Sequence, residues 1–261
     1  MEQVVSKDGT AIGYVKRGAG PPLLLVHGAT ADHQRWTPIS PRFEEGFRVY
    51  AMDRRGRGMS GDGPAYHVAR EAEDVAAVVD SIGEPVSVLA HSYGALCSLE
   101  AALLTSRMHR LVLYEPPVPG DAPAVPLDAI ERIQALADRG ELEAALEVMM
   151  VDVVKMPPHE LAAYRQLPMW KVRIALAPTI ARELSVAKTY RFDAGRFAHL
   201  RVPTLLLLGG DSPPHVRRAT EIVDAALPNS RVAILPGQQH IAMDTSPELF
   251  AGEVLRFLQE Q

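Results

Sequence analysis

The sequence predicts an α/β protein: an eight-stranded, mostly parallel sheet with helices on both faces and an inserted helical cap. Three observations carry this expectation. Short apolar runs alternate with segments of helical periodicity along most of the 261 residues, the pattern that parallel strands with crossover helices produce. The alternation stops once, between Glu115 and Leu200, where helical periodicity continues without a convincing core strand. Ala90-His91-Ser92-Tyr93-Gly94 stands where an apolar run gives way to a helix-compatible one, and small residues at its ends suit a sharp strand-to-helix turn.

The opening is antiparallel. Val4-Val5 and Ile12-Gly13-Tyr14-Val15 flank Lys7-Asp8-Gly9-Thr10, and Asp-Gly favours a tight hairpin because such turns need positive φ. Further strands are expected at Leu23 to Val26, Phe47 to Met52, Val86 to Leu89, Leu111 to Tyr114, Thr204 to Leu208 and Val232 to Leu235. Between them, Val68, Ala72, Val75, Val79 and Ile82 share one helical stripe, as do Val216, Ala219, Ile222, Val223 and Leu227 after a Ser212-Pro213 helix start. The insertion opens with Pro116-Pro117-Val118-Pro119-Gly120 and continues through Pro123 and Pro126, a stiff linker, and Pro203 marks the return. Within it, Leu127, Ile130 and Ile133 mark one helix, Arg139-Gly140 a break, and Leu142, Leu146 and Met150 a second, which predicts a single helical hairpin. Residues 1–115 and 201–261 would then form one discontinuous core domain, with 116–200 as the cap.

Composition limits the function classes. A chain of this length that is 47% hydrophobic can bury one large core and carry an insertion. Its formal net charge of -5 supplies no footprint for nucleic acid or an anionic membrane, so the expected partner is a small molecule. The single Cys97 permits no internal disulfide and reads as a buried structural thiol. The first ten residues lack a basic segment followed by an apolar stretch, and no apolar run reaches membrane-spanning length; a cytoplasmic location is expected. Oligomeric state is not legible.

The chemistry centres on Ser92. A neutral hydroxyl is a poor nucleophile and needs a base whose pKa lies near working pH, which histidine supplies. Of nine histidines, His240 follows the last predicted strand and a Pro236-Gly237 turn, on the sheet edge where open α/β sheets carry ligands. His27, His33 and His91 adjoin the motifs, while His67, His109, His159, His199 and His215 read as surface or packing residues.

With these landmarks the chain resembles the α/β-hydrolase fold superfamily, specifically its serine esterase-like members with a helical cap. The motifs that carry the resemblance are His27-Gly28-Ala29, Asp53-Arg54-Arg55-Gly56-Arg57-Gly58-Met59-Ser60, the pentapeptide around Ser92, and Gly237-Gln238-Gln239-His240, each after a predicted strand. The catalytic order of that family is nucleophile, acid, histidine. The resemblance implies Asp211, after the seventh strand, as the acid, with Glu115 at the end of the sixth strand as its rival. It also implies an oxyanion hole from the backbone N–H groups of Ala29 and Tyr93. The arginine-rich loop lacks the lysine of a P-loop and the third glycine of a dinucleotide fingerprint; in the family it forms buried polar contacts beside the site.

The expected activity is that of a serine hydrolase, without metal or cofactor, cleaving a carboxylic ester or lactone through an acyl-enzyme on Ser92. Met149, Met150, Met156, Met169 and Trp170 in the insertion, with Trp36 after the third strand, suggest a small to medium apolar substrate. A serine triad also serves carbon–carbon hydrolases, lyases and perhydrolases, and the same fold can serve as a ligand-binding receptor with little turnover.

Overall fold

The computed structural model describes residues 2–63, 65–119 and 125–260. Its strands are β1 (Glu2–Val5), β2 (Ala11–Arg17), β3 (Pro22–Val26), β4 (Arg48–Met52), β5 (Val86–His91), β6 (Met108–Tyr114), β7 (Thr204–Gly209) and β8 (Ser230–Leu235). They form one sheet in the order β1-β2-β4-β3-β5-β6-β7-β8. β1 and β2 make the antiparallel hairpin and β2 meets β4 antiparallel, whereas every other pairing is parallel.

The unbroken apolar runs follow from burial on both faces. Leu24, Val26, Val88, Ala90, Leu111, Leu113 and Leu206 enter one core, while Leu23, Leu25, Leu89, Val112, Tyr114, Leu205 and Leu207 enter the other. Side chains alternate along a strand, so a strand covered on both sides must be apolar at every position. Helices α2 (Val68–Ile82), α3 (Tyr93–Ala101) and α9 (Pro214–Ala226) contribute to the first core, and α1 (Ser40–Glu44), α10 (Ala242–Thr245) and α11 (Pro247–Leu258) to the second. β8 is one of the two edge strands, with Val232 and Ile234 exposed.

Between β6 and β7 there is no strand among the described residues. The expected hairpin is present as α4 (Leu127–Asp138) and α5 (Leu142–Val148), but the segment holds more: a π-helical turn at Met149–Val153, then α6 (Pro158–Tyr164), α7 (Met169–Ala175) and α8 (Ile180–Thr189). The single hairpin is therefore corrected to five α-helices. Pro157, Pro168 and Pro178 fall at the junctions, leaving α6 and α7 with seven residues each, too short to repeat an apolar stripe. These helices share a separate apolar cluster that includes Ile133, Leu146, Tyr164, Trp170 and Ile180, joined from the core by Ile241. Gly120 and Pro123 of the expected linker lie outside the described residues. Among the described residues no helix is long and apolar enough to cross a membrane.

Candidate active site

Ser92 sits between β5 and α3 with φ 53° and ψ -124°, a left-handed conformation that a residue with a side chain adopts at a cost of about 1–3 kcal/mol. The small neighbours have a steric cause. A Cβ on Gly94 would lie 2.3 Å from the His27 carbonyl oxygen, and one on Gly28 would lie 3.0 Å from Ser92 Cβ. The elbow and the loop after β3 therefore touch, backbone to backbone. Among the described non-glycine residues only Thr30, Ser92, Glu115 and Lys155 have positive φ; the first three lie beyond the carboxyl ends of β3, β5 and β6, so strain gathers at this edge.

His240 lies between β8 and α10, and its Nδ1 is 2.6 Å from Oε2 of Glu115. The carboxylate that meets His240 is thus Glu115, the rival, and not Asp211. Glu115 Oε1 accepts the Gly209 N–H at 2.9 Å and the Ser212 hydroxyl at 2.5 Å. Burial would raise this carboxyl, but the hydrogen bonds from His240, Ser212 and Gly209, with the charge of His240, hold it below its ordinary value. Asp211 points elsewhere: its N–H donates to the Gln238 carbonyl and the residue is exposed. Gly209 explains the turn. A Cβ there would lie 2.5 Å from the Gln238 oxygen, so the loop after β7 presses against the loop carrying His240, with Ser212 inward and Asp211 outward. Ser212 does not cap α9, whose N-cap is Pro213 without a side-chain bond.

The His240 loop is held by groups that no sequence pattern marks. His91 Nε2–H donates to the His240 carbonyl at 2.9 Å, and the Tyr114 hydroxyl donates to the Gln239 carbonyl while accepting the Ala242 N–H. Burial and the neighbouring His240 press His91 well below its ordinary value, so its ring is neutral. Ser92 and His240 border one cavity; no hydrogen bond joins them, and catalytic hydrogen bonds often tighten only in the Michaelis complex.

The arginine-rich loop fixes the other side. Arg54 forms a bidentate pair with Glu71, a further pair with Glu183 of α8, and donates from Nη1 to the Gly28 carbonyl at 3.0 Å. His27 Nδ1–H donates to the same carbonyl at 2.8 Å, while its Nε2 accepts the Arg54 N–H. A trans peptide directs its C=O and N–H oppositely, so the Ala29 N–H faces away from Arg54. The Tyr93 N–H opens α3, where helix N–H groups lack intrahelical partners. Asp53 accepts the backbone N–H groups of His33 and Met59 at 2.7 and 2.9 Å and contacts His33 Nδ1 at 3.0 Å. The Asp32, His33 and Asp53 cluster has metal-ligand chemistry, but these bonds already occupy its central carboxylate.

The model of the alpha/beta hydrolase family matches residues 23–253. The chain belongs to the alpha/beta hydrolase family. An alpha/beta hydrolase from Sphaerobacter thermophilus is similar over its whole length, with 36% identity, 99% of this chain and 100% of that one covered, and a TM-score of 0.87. The 2-(acetamidomethylene)succinate hydrolase of Mesorhizobium japonicum is 23% identical, covering 93% of this chain and 90% of its own. The N-formylmaleamate deformylase of Pseudomonas putida is 35% identical over 44% of this chain and 45% of its own.

In this hydrolase-family chain the cavity at Ser92 measures about 130 Å³ and is walled largely by apolar groups, among them Leu96, Val118, Met149, Met156 and Leu184. His215, read from the sequence as a surface or packing residue, lines it too, and burial lowers its pKa. Met150 borders a smaller adjoining space and Met169 an outer groove. Trp170 packs inside the insertion, and Trp36 belongs to the core beneath the sheet.

Proposed function

We propose that the protein is a serine hydrolase in which Ser92 attacks a carbonyl, His240 takes and returns the proton, and Glu115 orients His240. The observation that carries this reading is the bond from His240 Nδ1 to a buried carboxylate whose other oxygen is fixed by Gly209 and Ser212, with His240 and Ser92 on one cavity. With Nδ1–H donating to Glu115, Nε2 is the free lone pair that a base requires. The N–H groups of Ala29 and Tyr93 would receive the developing oxyanion. After the first product leaves, water activated by His240 releases the acyl group. The apolar wall favours a carboxylic ester or lactone with a small to medium apolar portion, and residues 116–200 act as the cap over it.

A burst of alcohol release from a p-nitrophenyl ester, and labelling of Ser92 by a fluorophosphonate, test the assignment. Both should vanish in Ser92→Ala, and a burst that survives this substitution removes the serine from the mechanism. The names of the two curated relatives, one a hydrolase of an acetamidomethylene compound and one a deformylase, favour a second reading in which the same groups cleave an amide or formamide. Parallel ester and N-acyl substrates would separate the two by kcat/KM.

A further inference from the structure

Five arginines are buried among the described residues, and four of them meet carboxylates. Arg35 pairs with Asp244, Arg54 with Glu71 and Glu183, Arg55 with Asp74 and Asp8, and Arg57 with Glu183. Arg173, on α7, is the exception. It is 6% exposed, its Nη1 donates to Thr30 Oγ1 at 2.5 Å, its guanidinium lies over the Tyr164 ring at 5.0 Å from the centroid, and its Nε is buried without a partner. Asp244, which shares an outer groove with Arg173, is engaged by Arg35 through two contacts of 2.8 and 2.7 Å. The electrostatic balance differs accordingly. Burial opposes the charge on Arg35, Arg54, Arg55 and Arg173, but Tyr164 and Asp244 raise Arg35, and carboxylates raise Arg54 and Arg55, above the ordinary guanidinium value, whereas Arg173 stays below it.

An unpaired buried guanidinium is costly to a fold, and this one is placed beside the chemistry. Arg173 borders a space of about 30 Å³ whose wall also includes Ser92, His240, Thr30, His91 and Tyr164. The Tyr164 hydroxyl there is also buried without a hydrogen-bond partner. The space shares Ala29, Ser92, Met149 and His240 with the larger apolar cavity, in whose wall the charged residues are the carboxylates Glu115, Glu160 and Glu183. Glu183 is paired with Arg54 and Arg57 and Glu115 meets His240, so beside Ser92 the buried charge left without an opposite partner is that of Arg173. Arg173 also reaches an outer groove, but there the charge is already balanced by the Arg35–Asp244 pair.

We propose that the substrate carries a carboxylate on a short tether from the scissile carbonyl, and that Arg173, assisted by the Tyr164 hydroxyl, binds it in the small space beside Ser92. This deepens the serine-hydrolase reading and rests on it. The substrate is then two-sided, an anionic head against α7 and an apolar portion in the larger cavity. Arg173 reads the head by charge-assisted hydrogen bonds from the N–H groups that the fold leaves free.

The test uses the whole protein and fluorophosphonate labelling of Ser92 as the readout, with succinate, monomethyl succinate and its neutral isostere methyl succinamate as protecting ligands. Monomethyl succinate should slow labelling at concentrations at least about tenfold lower than the neutral isostere, a preference of the size that one charge-assisted contact provides. That preference should fall to near unity in Arg173→Gln and return in part in Arg173→Lys. Thr30→Val removes the protein's own bond to Arg173 but keeps the charge, and should retain the preference, which separates ligand binding from a merely structural role. Labelled Ser92 with equal protection by charged and neutral ligands overturns the carboxylate site and leaves the hydrolase reading standing. Absence of labelling overturns the hydrolase reading and the carboxylate site with it. A preference that persists undiminished in Arg173→Gln also refutes the proposal.

Discussion

Replacing Glu115 by Gln should lower kcat by about 10³- to 10⁴-fold, and the size of the loss follows from hydrogen-bond direction. Glu115 presents two acceptor oxygens, one to His240 Nδ1–H and one to the Gly209 N–H and the Ser212 hydroxyl. A glutamine has one acceptor. The Gly209 N–H can only donate, so the amide oxygen is drawn to that side and the NH₂ group turns toward His240. Nδ1 must then accept, the proton moves to Nε2, and the ring can no longer take a proton from Ser92. The assay is steady-state ester hydrolysis, with Asp211→Asn in parallel and circular dichroism to confirm folding. Asp211 is exposed, and the carboxylate bonded to His240 Nδ1 is that of Glu115, so substitution of Asp211 should change kcat by less than about twofold. A thousandfold loss in Asp211→Asn, or near-normal activity in a folded Glu115→Gln, would refute the assignment of the acid.

Glu115 is held below its ordinary carboxyl value of 4.5 in the folded state, so the stability it contributes is complete above that pH and is lost as pH falls through the lowered value. Urea titrations should show the wild type losing stability relative to Glu115→Gln as pH falls below 4.5. Glu183 ties α8 to both Arg54 and Arg57, and Glu183→Ala should cost about 3 kcal/mol by leaving buried positive charge less compensated, read as a fall in the unfolding midpoint. Ser92→Gly should abolish turnover yet raise stability by about 1 kcal/mol, because glycine relieves the positive φ at 92 while giving back part of the gain as chain entropy. Gly94→Ala should destabilise strongly, since its methyl group meets the His27 carbonyl oxygen at 2.3 Å, and thermal denaturation would detect it.

Much of the sheet was written in local pattern. Strands buried on both faces need apolar residues at every position, so β3, β5, β6 and β7 announced themselves as continuous runs, and the elbow at Ser92 was marked by the small residues that its close contacts require. His240 was legible because a loop after the last strand must lie on the same edge as the elbow. The seven-residue helices α6 and α7 were not, since an element shorter than about two turns has no repeating stripe to display.

The identity of the carboxylate at His240 was undecidable from sequence. Glu115 and Asp211 both end strands at the correct edge, and which one faces inward depends on how the loop after β7 packs on Gln238, a contact between segments remote in sequence. The same holds for the arginines. Arg35, Arg54, Arg55, Arg57 and Arg173 are alike as letters, and only packing shows that four meet carboxylates while Arg173 stands unpaired beside Ser92. Sequence fixes what a segment buries through its own periodicity; charge pairing is settled between segments, and so by the tertiary structure alone.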